Sequence, residues 1–275
     1  MGNKETKLTH KFYSQDVSRE WERLVKDPYH RLEFDTTLRF LEKYLPKRGL
    51  ILDAGGGPGR YSIELAKRGY DVVLLDLVPE HLEFAKYKIK EAKVQSKIKE
   101  IVAGTVTDLS TYKNNSFDAV ICLGGVVSHV NPEKERKKAI SELVRVAKKN
   151  APIFVSVMGK LGTITQFKKW INEIEDTSHF KQFYLEGDDY QWNKGKAYAH
   201  FFELKEFNNL FGNKVNIIAN VGLEGLATPD AENFNEMAEN NKKAFKNWIE
   251  MHYALCTNPN VVEVSAHFMT IVKKK

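Results

Sequence analysis

Residues 51–76 read ILDAGGGPGRYSIELAKRGYDVVLLD, and this stretch decides the fold. An apolar run, Leu50–Asp53, gives way to a turn, Gly55–Gly59, built of four glycines and a proline. A helical segment opens at Arg60, and a second apolar run ends on Asp76. Glycine costs backbone entropy on folding, so such a cluster between strand and helix marks a place where something lies against the main chain. The helix that starts there presents unpaired N–H groups to that ligand. Asp76 lies about 20 residues on, at the end of the neighbouring strand, where a carboxylate accepts hydrogen bonds from ribose hydroxyls. The stretch therefore reads as the seat of an adenosine-like group.

Outward from it, short apolar runs alternate with amphipathic segments. Leu50–Asp53, Val72–Leu75, Ile98–Ala103, Phe117–Leu123 and Ile153–Val157 are apolar on both faces, as strands of a helix-covered parallel sheet are. Between the last two, Ala139, Ile140, Leu143, Val144 and Ala147 form one helical stripe. Asn131-Pro132 is expected to open that helix as N-cap and first residue. The alternation predicts a doubly wound α/β fold. Late strand candidates are Val215–Val221 and Val262–Val272. Thr228-Pro229-Asp230 is a plausible helix opening between them, and residues 12–45 look helical. Residues 160–196 hold Phe167, Trp170, Phe180, Phe183, Tyr184, Tyr190 and Trp192, which suit an acceptor pocket or the packing of a lid. The chain reads as one domain, 1–275, with a ligand-binding core at 46–158. Residues 1–45, 160–200 and 226–260 are expected to be additions over the top of the sheet, where ligand crevices in such folds lie.

The composition, 42% apolar and 28% charged, is that of an ordinary globular protein, with no apolar run near the length of a membrane span. A polar N-terminus and two distant cysteines, Cys122 and Cys256, fit a reducing cytoplasm and neither a disulfide framework nor a zinc cluster. The net charge of +6 is scattered as lysine among glutamate, more as solvated helix faces than as a phosphate-binding patch. No Glu-x-x-His or His-x-x-x-His pair sits on a helix, so no metal is expected.

A phosphate-binding Walker loop needs Gly-Lys-Ser/Thr, which Gly59-Arg60-Tyr61 does not supply. The dinucleotide fingerprint fails too, because Arg60 or Ser62 falls where its last glycine belongs. The spacing Asp53-x-Gly55-x-Gly57-x-Gly59 instead resembles the first motif of class I S-adenosylmethionine-dependent methyltransferases, with Asp76 in the place of that family's ribose-binding acid. Ala103–Leu109, Ser116–Val120 and Leu123-Gly124-Gly125 continue the resemblance over roughly residues 30–158, closest to the small-molecule branch that includes quinone-biosynthesis C-methyltransferases. The resemblance implies a Rossmann-like, seven-stranded, mostly parallel sheet with an antiparallel final hairpin and helical lid elements, and S-adenosylmethionine as cofactor. It places Asp53, Gly55, Gly57, Gly59, Asp76, Leu77, Thr105, Val106, Leu123 and Gly124 around that cofactor, with Tyr13 and Arg31 at its carboxylate end. Thr105 stands where family members often carry an acid, so Thr105, or Asp108 in a shifted loop, is expected at the adenine edge. Val78 replaces a frequent helix-capping Ser or Thr.

Methyl transfer from a sulfonium asks the protein mainly for alignment, which is worth roughly 7–11 kcal/mol. A base helps where the acceptor must lose a proton. His129, just past the fourth strand, is the candidate for it, while His200 reads as a structural histidine and Cys122 as a buried strand residue. His30 and Arg31 stand where similar positions in the family fold over the cofactor, with surface residues on a helix as the alternative. The expected reaction is methyl transfer to a small organic acceptor. The alternatives are an RNA methyltransferase with the same cofactor domain, and a non-catalytic protein that binds S-adenosylmethionine.

Overall fold

The computed structural model describes residues 4–190 and 197–275. Trp192 lies outside the described residues, as do the side chains of Phe167 and Trp170. Three helices come first, α1 (Lys4–Ser14), α2 (Val17–Glu22) and α3 (Pro28–Tyr44). The alternating core follows as β1 (Leu50–Ala54), α4 (Arg60–Lys67), β2 (Asp71–Asp76), α5 (Pro79–Glu91), β3 (Ile98–Ala103), β4 (Ala119–Cys122), α6 (Glu133–Val146) and β5 (Pro152–Met158). Beyond it run α7 (Lys160–Thr165), α8 (Ile171–Glu175), α9 (Thr177–Glu186), the short strands β6 (Asp188–Asp189) and β7 (Ala199–His200), and α10 (Leu204–Asn209). The last elements are β8 (Val215–Gly222), α11 (Ala231–Asn240), α12 (Lys242–Leu255), α13 (Pro259–Glu263) and β9 (His267–Lys274).

Seven strands form one sheet in the order β3-β2-β1-β4-β5-β9-β8. The first five are parallel, and β9 runs antiparallel to both β5 and β8. This is the expected doubly wound sheet with a reversed final pair. The central strands are buried on both faces, with Ile51, Leu52, Val120, Ile121, Phe154 and Val155 wholly inaccessible. Cys122 packs among them, and burial pushes its thiol well above the ordinary range, so it is a core residue. No helix among the described residues is long and apolar enough to cross a membrane.

Several boundaries differ from the sequence reading, each for a local reason. The helical stretch 12–45 is three helices. Asp16 accepts from the Arg19 N–H to open α2, and Asp27 accepts from the His30 N–H, with Pro28 behind it, to open α3. Pro132 is the N-cap of α6 and not its first residue. A 3₁₀ turn over Gly225–Asp230 delays α11 past Pro229. The strand expected from Val262 begins at His267, because Asn258 caps a short helix with Pro259 at its first turn. The fourth strand is trimmed at both ends, Phe117 making an isolated bridge to Ala147.

Candidate active site

The turn after β1 folds back on β2. The Gly55 and Gly56 N–H groups both donate to the Leu75 carbonyl, at 2.7 and 3.1 Å. The Gly57 N–H donates to Asp76 Oδ2 at 2.8 Å, and the Val78 N–H to Oδ1 at 2.9 Å. Asp76 thereby ties the turn after β1 to the start of α5, which has no side-chain cap, and each of its oxygens keeps further acceptor capacity. The glycines divide by task. A methyl group at Gly55 would stand 2.5 Å from Val126, and one at Gly56 2.5 Å from Asp53 Oδ2, so both let the turn close on the protein itself. At Gly57, with φ +55°, the nearest atom would be His81 Nδ1 at 3.6 Å, and this is where the main chain is open to a ligand. Gly59 was expected against the cofactor. It faces Ala85 and Leu74 instead, at 3.2 and 3.3 Å, and serves helix packing.

These groups border a cavity of about 790 Å³. Asp53, Gly55, Gly57, Asp76, Leu77, Thr105, Val106, Leu123, Gly124 and His129 all reach it. Its roof is the N-terminal segment, through Thr9 and Tyr13 of α1, Glu20 of α2 and Arg23 just beyond. No described residue of 160–200 or 226–260 lines it. Asp108 borders the cavity beside Thr105 and Val106, with its carboxylate accepting from the Ser110 N–H. Asp53 Oδ2 accepts from the Ser62 hydroxyl at 2.6 Å, while Oδ1 is buried without a partner. Burial, with the Asp76 charge adding to it, raises the Asp53 carboxyl to about 7 against the Ser62 hydrogen bond.

His129 ends the 3₁₀ turn Val126–His129. Its Nδ1 lies 2.7 Å from the Tyr198 carbonyl oxygen, which can only accept, so Nδ1 carries the proton. Nε2 is left to accept from the Tyr13 hydroxyl at 2.7 Å. Burial lowers the His129 pKa, keeping the ring neutral, and burial with the nearby Glu20 raises that of Tyr13. The result is a basic nitrogen reached through a phenol. Sequence reasoning named both residues but not their contact, because they stand on segments 116 positions apart.

Arg31 does not reach the cavity. Its Nε pairs with Asp35 at 2.8 Å on an exposed helix face. The cation present is Arg23, forked onto Glu33 at 2.7 and 3.2 Å and onto Glu20 at 3.0 Å, with Nη2 beside Gly124. In the sequence Arg23 is one charge among many in a helical stretch, and nothing local singles it out. Arg60 also lines the cavity, lying 4.0 Å over the Trp21 ring while donating to the Trp21 carbonyl. The His30 ring lies 2.8 Å from the carboxylate of Asp27, the N-cap of α3, and His200 sits between Asp188 and Glu206 at 2.7 Å each, so neither ring is directed into the cavity.

Among the described residues, Glu33, Glu224 and His267 have spacing compatible with a metal ion. Their atoms are already engaged. Glu33 holds Arg23, and Glu224 accepts from His267 Nδ1 at 2.6 Å, from the His267 N–H at 2.8 Å and from Ser265 Oγ at 3.0 Å. The cluster is an ion-pair network tying β9 to α3.

A doubly wound sheet whose first turn and second-strand carboxylate meet on one cavity defines a nucleoside-binding α/β protein of the Rossmann-like kind. Residues 52–155 match the methyltransferase domain family. The chain is 31% identical over 139 residues to the glycine/sarcosine N-methyltransferase of Parasynechococcus marenigrum (strain WH8102), covering 50% of this chain and 48% of that protein. It thus spans about half the length of that relative. The YqeM protein of Bacillus subtilis (strain 168) is 26% identical over 188 residues, 63% of this chain and 72% of that protein. The solved S-adenosylmethionine-dependent methyltransferase of Methanosarcina mazei shares the fold, with a TM-score of 0.54 at 21% identity over 86% of this chain and 96% of that one. Residues 52–155 thus form a methyltransferase domain, and the chain around them has the fold of solved S-adenosylmethionine-dependent methyltransferases. The cavity suits their cofactor: it has an open Gly57, a carboxylate with spare acceptors at Asp76, and an unpartnered buried oxygen on Asp53.

Proposed function

We propose that the protein is a single-domain cytoplasmic enzyme, with its cofactor core at 46–158, that methylates a small acceptor whose nucleophile must shed a proton. An amine is the chemistry favoured by the name of the glycine/sarcosine relative. The observation that carries this reading is the Tyr13–His129 pair, set in the wall of the cavity that also holds Gly57 and Asp76. Bound S-adenosylmethionine supplies an electrophilic methyl group on a sulfonium. Asp76 would accept the ribose hydroxyls, Gly57 would admit the ligand to the main chain with Gly55 closing the turn behind it, and Leu77, Thr105 and Val106 would hold the adenine. Asp53 Oδ1 accepts from the cofactor's ammonium, Arg23 takes the carboxylate in place of Arg31, and Leu123 with Gly124 flanks the methionine part. Tyr13 Oη accepts the acceptor's proton as its own passes to His129 Nε2, and the Tyr198 carbonyl supports the imidazolium through Nδ1–H. With the cofactor bound, its methyl would pass from sulfur to the acceptor's nucleophile, leaving S-adenosylhomocysteine, and the acceptor's proton would end on His129.

The test is incubation with cofactor labelled in the methyl group and cell metabolites, before and after nuclease. Label is expected in nuclease-resistant small molecules; label lost to nuclease would transfer the assignment to RNA. Tyr13→Phe and His129→Gln should each lower kcat about 100-fold, the scale of general acid–base catalysis, with affinity for S-adenosylhomocysteine kept within about threefold. Unchanged turnover in both would remove the pair from the mechanism.

A further inference from the structure

Two polar side chains in the cavity wall have no hydrogen-bond partner: His81, on both ring nitrogens, and Thr9, on its hydroxyl. Both are more than nine-tenths buried, at 3% and 7% exposure. Burying a polar group without a partner forfeits its hydrogen bonds to water, so an imidazole left bare on both nitrogens calls for a ligand that satisfies it. Its position says which part of the ligand. His81 is in the first turn of α5, with Nδ1 3.5 Å from Asp76 Oδ1, too long for a good hydrogen bond but close enough to share one hydroxyl. The same nitrogen is the first atom that a methyl group on Gly57 would meet. Nδ1 therefore faces the corner between the open glycine and the ribose acid.

Resting on the methyltransferase reading above, we propose that His81 is a specificity-determining residue that, with Asp76, brackets one ribose hydroxyl of the cofactor. That hydroxyl donates to Asp76 Oδ1 and accepts from His81 Nδ1–H. A carboxylate alone recognises the donor side of a hydroxyl; adding an N–H beside it recognises the acceptor side, and the site then requires an intact diol. A pocket built to hydrogen-bond a hydroxyl strongly rejects the analogue that lacks it, because the polar groups are left unpaired. The His81 ring also meets the Tyr13 ring edge-on at 6.1 Å, so the ribose corner and the α1 roof are in contact.

Calorimetry with S-adenosylhomocysteine and its 2′-deoxy and 3′-deoxy analogues tests this. The wild-type protein should bind the parent at least 10-fold more tightly than one of the two analogues. His81→Phe should lose about that factor for the parent and little further for the same analogue, while His81→Gln, which retains an N–H donor, should recover part of it. Equal losses for parent and both analogues would mean a packing role and overturn the proposal, as would unchanged affinity in His81→Phe. Absence of parent binding by the wild-type protein would overturn the cofactor reading itself, a result distinct from either. Thermal melts of both variants identify loss of fold.

Discussion

Gly56 and Gly57 are adjacent, but a methyl group added to each meets different surroundings. At Gly56 it would lie 2.5 Å from both Asp53 Oδ2 and Leu74 Cδ1 inside the protein. At Gly57 it would project toward the cavity, and its cost is mainly the left-handed backbone, about 1–2 kcal/mol for an L-residue. Gly57→Ala should therefore lower affinity for S-adenosylhomocysteine at least 10-fold with a small drop in melting temperature. Gly56→Ala should destabilise the fold by several kcal/mol, a scale common to overpacked cores. Calorimetry and thermal melts on the pair check both halves, and equal effects on binding and stability in the two variants would contradict the division. At this scale the sequence was informative where chemistry is local. The Asp53–Gly57 spacing and Asp76 bring together, as read, the groups that share one cavity. It was silent where partners are distant: Arg23, and not Arg31, reaches the site because α2 and α3 turn at Asp27, and no local pattern in residues 20–35 encodes which face then looks inward.

Among elements, α1 matters most to the site. It brings Thr9 and Tyr13, four residues apart and so on one helix face, to the cavity. Its other polar contacts are exposed or half-exposed, such as His10 with Glu80 at 3.3 Å. Removing residues 1–15 should leave the sheet folded, with a melting temperature within a few degrees of the full chain. Methyl transfer should fall by more than 100-fold, the loss expected when a proton relay and its roof go together. Retained turnover in the truncated chain would show that α1 is dispensable to the chemistry. The periodicity of residues 12–45 foretold helix but not its breaks, since Asp16 and Asp27 act through side-chain bonds to backbone N–H groups that apolar spacing does not register. Asn258-Pro259 carries the same kind of signal and shortens the last strand.

In the whole molecule, the late elements are joined to the N-terminal helices by charge. Arg23 forks onto Glu33, Glu33 lies 3.8 Å from His267, and His267 holds Glu224. Burial alone would lower the His267 pKa, but Glu224 and Glu33 outweigh it and the net shift is upward. A raised pKa in the fold gives stability that is full below the unfolded value of about 6.5 and lost as pH rises through the folded value. The melting temperature should accordingly fall as pH rises beyond about 6.5. Glu224→Gln should flatten that slope relative to wild type, which separates it from the same-signed contribution of His200. An unaltered slope would place the pH dependence elsewhere. The doubly wound order was legible because four of the five parallel strands are apolar on both faces, the edge strand β3 with its exposed Lys99 and Glu100 being the exception. The ion-pair network was not, since Glu33, Glu224 and His267 approach one another only once the sheet is complete. That completion has its own order of events. β9 is made after β8 yet lies between β8 and β5. During synthesis β8 therefore emerges before the strand that pairs it to the sheet, and even in the finished sheet it is the edge, with Ile217 and Ile218 left exposed on it.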